Sequence, residues 1–331
     1  MTLRMGLLST AHVHTSGFAS RLESMADVEF VGVTDDDVER GREAASRFET
    51  SFLDPDGLLS SVDAAVVSST NTTHRRWVEQ AAAAGVDVLC EKPLATTLED
   101  AKAIVDVCSD AGVRLGVCMP LPFSVPAKRA KAAYEAGEIG DLRVAVGTNR
   151  AWLRDRHLTG WSADPEAAGG GAAMDHTVHV VNLVRWITGE EVVEVNAEFA
   201  TMHDGLEVED VNVLSMELSD GSVFTLDGSW DRPDDWNYWG DATLTLIGTG
   251  GELSIDVFDQ TLKRTRDGEG IDDVYWGSIP DEGLFLDFVD AVENDRPPLV
   301  TGEDGLREAA VVLAAYESDE RGGPVAVEYP R

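Results

Sequence analysis

The first third of the chain alternates short apolar runs with amphipathic stretches, and this pattern restricts the fold more than any other. Residues 3–8, 29–33, 64–68, 86–90 and 114–117 read as buried strands, and 15–26, 36–48, 73–84 and 97–111 between them read as helices. Strand, helix and strand in that order demand a parallel sheet covered on both faces. The punctuation agrees: Thr97 precedes Glu99 at a helix start, and Gly85 and Gly112 each end a helix just before the next strand.

After about residue 120 the rhythm changes. Pro120, Pro122 and Pro126 interrupt the chain, a helix is expected at 126–137, and strands follow at 142–149, 192–201, 211–218, 222–230, 242–248 and 252–258. Turn sequences at 219–222 and 248–251 join several of them as hairpins. Further helices are expected at 175–188, 283–294 and about 303–320. At 331 residues the chain exceeds one comfortable core, so the expected division is residues 1–120, α/β, and residues 121–331, α+β with a large, mostly antiparallel open sheet.

Charge excludes some functions. The chain has 61 Asp and Glu against 26 Lys and Arg, a net charge of −35, which repels nucleic-acid phosphates and anionic membrane surfaces. A hydrophobic content of 43% is too high for a disordered acidic segment, so the charge coats a folded body. Lysine occurs only at 92, 102, 128, 131 and 263. Acid in excess with arginine replacing lysine fits a halophilic protein of a high-salt cytoplasm, where screening shortens like-charge repulsion; an acidic protein of ordinary salt is the plainer alternative. Cys90, Cys108 and Cys118 lack C-x-x-C spacing and suit a reducing cytoplasm. No run approaches the roughly 20 apolar residues of a membrane span, and the first residues lack a signal-peptide pattern.

In a parallel α/β sheet ligands bind beyond the carboxyl ends of the strands. After the first strand come Ser9, Thr10, Ala11, His12, Val13 and His14, with Ser, Ala and His where a dinucleotide fingerprint would have glycine. Ser9, Thr10, Ala11, His12 and His14 are therefore candidate cofactor contacts. His12-x-His14 has metal-ligand spacing, but no neighbouring Cys or acid completes a set in sequence, and no metal is expected. The second strand ends at Asp35, where a carboxylate accepts hydrogen bonds from ribose hydroxyls and repels a 2′-phosphate, favouring NAD over NADP. Asp36 and Asp37 read as helix-capping acids.

Ser69, Thr70, Asn71 and His74 follow the strand at 64–68, Glu91, Lys92 and Pro93 follow the strand at 86–90, and all of these but Pro93 are candidate cofactor contacts. A lysine fixed after a buried strand is shielded from water, and burial lowers a lysine pKa toward the range of proton relay. Gly169, Gly170 and Gly171 lead into Asp175, His179 and Asn182, spaced so that one helix face carries an acid, an imidazole and an amide. The glycines are expected to let that helix start approach a ligand closely.

Over essentially its whole length the sequence resembles the Gfo/Idh/MocA oxidoreductases, on Asn71-x-x-His74, Glu91-Lys92-Pro93, the glycine run with Asp175-x-x-x-His179, Arg185-Trp186-x-x-Gly189, and Pro298 with Glu303-Asp304-Gly305. The resemblance implies an N-terminal Rossmann domain, a C-terminal α+β domain, and a bound NAD or NADP. It implies hydride transfer between the nicotinamide and a secondary alcohol of a sugar, cyclitol or related polyol. Lys92 would contact the nicotinamide ribose and the reacting hydroxyl, His179 would be the general acid/base and Asp175 would hold the substrate, with Lys92–Pro93 cis. A homodimer or homotetramer through the C-terminal sheet is also implied. A NAD-dependent glycosidase on the same scaffold and a non-catalytic cofactor or ligand sensor are the alternatives.

The sequence departs from the family at Ser9, Ala11 and His14, at Asn182, where many members have Asp, and near Leu121, where an Arg is often found. Trp152, Arg154, Arg156, His157 and Trp161 suit a polyhydroxylated ring or its acidic derivative. Trp230, Trp236, Tyr238 and Trp239 suit the same pocket or an oligomer interface.

Overall fold

Six parallel strands form the first sheet: β1 (Leu3–Leu8), β2 (Val28–Thr34), β3 (Ser51–Phe52), β4 (Ala64–Val67), β5 (Asp87–Cys90) and β6 (Leu115–Val117), in the order β3-β2-β1-β4-β5-β6. Between them run α1 (Thr15–Ser24), α2 (Val38–Arg47), α3 (Pro55–Leu59), α4 (His74–Ala83) and α5 (Leu98–Ala111). Every residue of β4 and β5 is buried, as a sheet sandwiched by helices requires. Asp37 caps α2, its carboxylate accepting from the Glu39 and Arg40 amides, and Thr97 caps α5 through the Asp100 amide. β3 and α3 were not expected; two and five residues are too short to show a period.

The computed structural model describes residues 2–153, 160–233, 240–258, 261–266, 270–275 and 280–330. They form two units: Met1–Cys118 with Leu284–Leu306, and Met119–Gly283 with Arg307–Arg331. A linear division at residue 120 misses the return of 284–306. That segment joins the first unit through tertiary contacts: the Phe285 ring lies 5.3 Å from that of Phe18, and the Val117 amide donates to the Val300 carbonyl at 3.2 Å.

The second unit is built on a sheet that among the described residues has nine strands: β7 (Leu142–Thr148), β8 (Val192–Ala200), β9 (Val211–Leu218), β10 (Val223–Asp227), β11 (Thr243–Gly248), β12 (Gly251–Asp256), β13 (Thr261–Arg266), β14 (Gly270–Tyr275) and β15 (Val325–Ala326). Their order is β14-β13-β12-β11-β7-β10-β9-β8-β15, antiparallel except where β10 runs parallel to β7. The remaining helices are α6 (Val125–Glu135), α7 (Pro165–Ala168), α8 (Ala172–Thr188), α9 (Pro280–Glu293) and α10 (Gly302–Arg321).

One sheet face is buried with residues of α6, α8 and α10 in a single apolar cluster that includes Ala130, Val180, Val184, Leu214, Phe224, Leu246 and Val311. Gly147 of β7 allows the close approach of α8, because a Cβ there would meet Val180 Cγ1 at 2.5 Å. The other face alternates outward and carries exposed Val146, Val213, Val223 and Ile247. No helix among the described residues is long and apolar enough to cross a membrane. All three cysteines are buried thiols, and burial pushes Cys108 up to about 12.

Candidate active site

In the first unit the sheet reverses its order between β1 and β4, and the loops after these two strands are tied together. The His12 amide donates to the Ser68 carbonyl at 3.0 Å, and the Thr15 and Ser68 hydroxyls meet at 2.8 Å. Ser9 adopts φ 67°, the left-handed conformation that a glycine would take without strain. The loop thus keeps the tight turn of a dinucleotide fingerprint without its first glycine. Ser9, Ala11, Asp36, Asp37, Arg40, Thr70 and Thr73 line a cleft of about 380 Å³. Ser69, Thr70 and Thr73 hold their side of it through hydroxyl contacts of 3.0 Å.

Asp35 does not face that cleft as the sequence suggested. Its side chain is wholly covered, with Oδ2 receiving the Thr10 amide at 2.6 Å and the Thr10 hydroxyl at 2.7 Å, while Arg40 binds both oxygens. Burial acts to raise the Asp35 pKa, but hydrogen bonds from Arg40 and Thr10 outweigh it and bring it to about 2. Arg40, which sequence reasoning passed over, therefore presents its guanidinium where Asp35 was expected to act. An Arg one turn into the helix after an acidic strand end is the signal that could have found it.

Glu91 closes a second cluster. Its Oε1 lies 2.7 Å from His14 Nδ1 and 3.1 Å from His12 Nδ1, and its Oε2 accepts from the Lys92 amide at 3.0 Å. The expectation that no acid accompanies the two histidines is corrected: Glu91, 77 residues from His14, completes a group whose ligating atoms lie within 4.8 Å of one another. Burial alone would drive the Glu91 carboxyl up, yet the two imidazoles hold it well below the usual carboxylate range. This mutual hydrogen bonding of a buried anion already accounts for their convergence.

Lys92 is 4% exposed, and the Lys92–Pro93 peptide bond is cis, as the family resemblance implies. His74 supports that turn: its Nδ1 donates to the Pro93 carbonyl at 2.9 Å. Asn71 is buried nearby in sequence, in the turn that opens α4.

In the second unit α8 carries the other candidates. From Ala172 to Arg185 every residue is buried except Asp175 and His179, which are half-exposed one turn apart. Asn182, expected on the same face, is 3% exposed, and its amide donates to Glu308 Oε1 at 2.5 Å. Two turns along, the stripe has passed beneath α10, so Asn182 is a buried partner of Glu308 and not a substrate contact. The Asp175 carboxylate lies 3.3 Å from Nε2 of His176.

The glycine run has an internal reason. A side chain at Gly170 would overlap the Tyr316 hydroxyl, and one at Gly171 would overlap the Glu209 backbone. Glu209 Oε1 accepts from the Gly171 amide at 2.9 Å, the Ala173 amide at 3.0 Å and the Tyr316 hydroxyl at 2.7 Å. These glycines admit the protein's own capping acid and not a ligand. Glu209 and Tyr316 were missed because nothing local relates residues 209 and 316 to 171.

Residues 8–119 match the oxidoreductase family with an NAD-binding Rossmann fold, and residues 127–254 match the Gfo/Idh/MocA C-terminal domain. The 1,5-anhydro-D-fructose reductase of Ensifer adhaerens is 30% identical over 282 residues, covering 83% of this chain and 81% of the relative. The chain belongs to the Gfo/Idh/MocA oxidoreductase family.

Other Gfo/Idh/MocA relatives extend the likeness to the whole length. The myo-inositol 2-dehydrogenase of Thermotoga maritima is 28% identical and covers 98% of this chain and 99% of its own. The solved structure of GenD2 from gentamicin A biosynthesis, in complex with NAD, has a TM-score of 0.86 at 26% identity, covering 98% of this chain and 96% of that chain. Among the pocket candidates, Trp152 and Trp161 are half-buried, and Trp230 is buried at 4%. Arg154, Arg156, His157, Trp236, Tyr238 and Trp239 lie outside the described residues.

Proposed function

We propose that this Gfo/Idh/MocA protein is a nicotinamide-dependent dehydrogenase acting on a secondary alcohol of a sugar, cyclitol or related polyol. The observation that carries the reading is the exposure pattern of α8, which opens only Asp175 and His179 along fourteen otherwise buried residues, 172–185. An acid and an imidazole open together one turn apart can hold a hydroxyl and move its proton.

The residues present fit the dinucleotide. Ser9 preserves the tight turn, and the cleft beside it is lined by small residues, hydroxyls, one guanidinium and the carboxylates of Asp36 and Asp37. Ser9, Thr10, Ala11, His12 and His14, with Ser69, Thr70 and Asn71, would hold it, and Arg40, gripped from behind by Asp35, would meet its adenosine ribose. NAD is the preferred form, because Asp35, Asp36 and Asp37 outnumber Arg40 and Arg76 there and oppose a 2′-phosphate. When bound, the nicotinamide ring accepts or returns hydride.

His179 takes the hydroxyl proton at a ring nitrogen and returns it in the reverse direction. Asp175 orients the hydroxyl, and the Lys92 ammonium stabilises the oxygen as it becomes negative. Trp152 and Trp161 would flank the ring of the substrate. We further infer a cytoplasmic protein that pairs through the open sheet face, where Val146, Val213, Val223 and Ile247 stand in a chain otherwise coated with acids.

The test is a panel of sugars, cyclitols and sugar acids followed by NAD(P)H absorbance at molar salt. Turnover should fall by at least about a hundredfold in Lys92→Ala and in His179→Ala. Full activity in either variant would overturn the assignment, and cleavage of a glycoside without net NADH would replace it with glycosidase chemistry.

A further inference from the structure

His176 belongs to none of the motifs above, yet it sits one residue beyond Asp175 and is only 4% exposed. Its two ring nitrogens have partners of opposite demand. Nδ1 lies 3.0 Å from the Gly228 carbonyl oxygen, which can only accept, so Nδ1 carries a proton. Nε2 lies 3.3 Å from Asp175 Oδ2. In a neutral ring protonated at Nδ1, Nε2 is a lone pair, and it would face a carboxylate across that distance. Such a pair repels, whereas one added proton makes it a charge-assisted contact.

The ring has little freedom to escape this conflict. The Gly228 amide donates to Asn212 Oδ1 at 3.2 Å, and Asn212 is fully buried. Buried Trp230 stands edge-on to the His176 ring at 6.3 Å between centroids. Gly228 itself is crowded, since a Cβ there would come within 2.9 Å of Asn212 Oδ1 and 3.3 Å of His176 Cβ.

We infer that His176 is a positioning residue: anchored on Gly228 through Nδ1, it holds a proton between Nε2 and Asp175 Oδ2 and so fixes the carboxylate that faces the substrate. The pair then carries no net charge. A bare Asp175 carboxylate would oppose negative charge growing on the reacting oxygen, and the imidazolium offsets it. The catalytic consequence rests on the dehydrogenase reading, whereas the shared proton does not.

Two substitutions separate the two ring contacts. His176→Asn places an amide nitrogen near Nδ1, keeping the Gly228 bond and losing Asp175. His176→Gln places one near Nε2, keeping Asp175 and losing Gly228. With KM for NAD unchanged in both, kcat is expected to fall at least about thirtyfold in His176→Asn and several times less in His176→Gln, which keeps a donor on Asp175 but not the positive charge. A role in folding alone gives the reverse order and would overturn the inference.

Long-range proton–nitrogen spectra of the histidine rings near neutral pH read the proton without any turnover. Both ring nitrogens of His176 should be protonated in the parent, with return to the neutral Nδ1–H ring in Asp175→Asn. A neutral His176 ring in the parent overturns the inference even if Asp175→Asn is inactive. A doubly protonated ring in a protein where Asp175→Asn turns over normally sinks the dehydrogenase role of Asp175 instead.

Discussion

Arg40 grips Asp35 at two points, with Nη2 2.6 Å from Oδ1 and Nε 3.1 Å from Oδ2. The forked geometry neutralises the buried carboxylate and holds the guanidinium at the wall of the cleft. Replacing the acid releases the cation. In Asp35→Ser the ratio of kcat/KM for NADP over NAD should rise at least about tenfold, because Arg40 then becomes available to a 2′-phosphate. Steady-state kinetics with both cofactors checks it, and an unchanged ratio would mean that the pair does not meet the ribose.

Glu209 holds the start of α8 by accepting three hydrogen bonds on one oxygen. Glu209→Ala should destabilise the protein by roughly 3 kcal/mol, and Tyr316→Phe by about 1 kcal/mol. Urea unfolding measures both. The larger change should also lower kcat by at least about tenfold, since Asp175 lies in the first turn of the helix that Glu209 secures. Parent-like stability in Glu209→Ala would remove the capping role.

His74 makes stability depend on pH. Burial lowers its pKa from 6.5 to about 4, helped by the nearby His12. Between these values the unfolded chain takes up a proton that the folded ring refuses, so stability present above about 6.5 declines as the pH falls toward 4. The loss should be on the order of 3 kcal/mol. His74→Asn keeps a donor for the Pro93 carbonyl and should flatten that slope in denaturation curves taken across the window.

The charge of −35 should make the fold respond to salt. Screening shrinks the Debye length from about 10 Å to about 3 Å between 0.1 M and 1 M, so Tm should climb by at least about 10 °C over that range of KCl. A salt-independent Tm would show that the acidic coat does not strain the folded state.

Much of the candidate site was legible because its groups follow strands or repeat on a helix. Lys92 stands directly after β5, and Asp175 and His179 share a face because they are four residues apart. Periodicity of this kind is a local property and reports which face of an element is buried. It failed for Asn182, at i+7, because only the position of Glu308 on α10 decides where the open stripe ends. It also gave the wrong reason for Gly170 and Gly171, whose neighbours Tyr316 and Glu209 are remote in sequence.

The sequence by itself determined the parallel order of the first half, the sheet-rich second half, the charge of the shell and the residues of the Lys92 and Asp175/His179 motifs. Tertiary structure alone decided that residues 284–306 return to the first unit, that Arg40 covers Asp35, that Glu91 gathers His12 and His14, and that His176 reaches Asp175 through a ring anchored on Gly228. Strand and helix periods are written in adjacent residues. The partner of a buried charge is set by whichever distant segment folding brings within about 3 Å, because an unpaired charge there is too costly to leave.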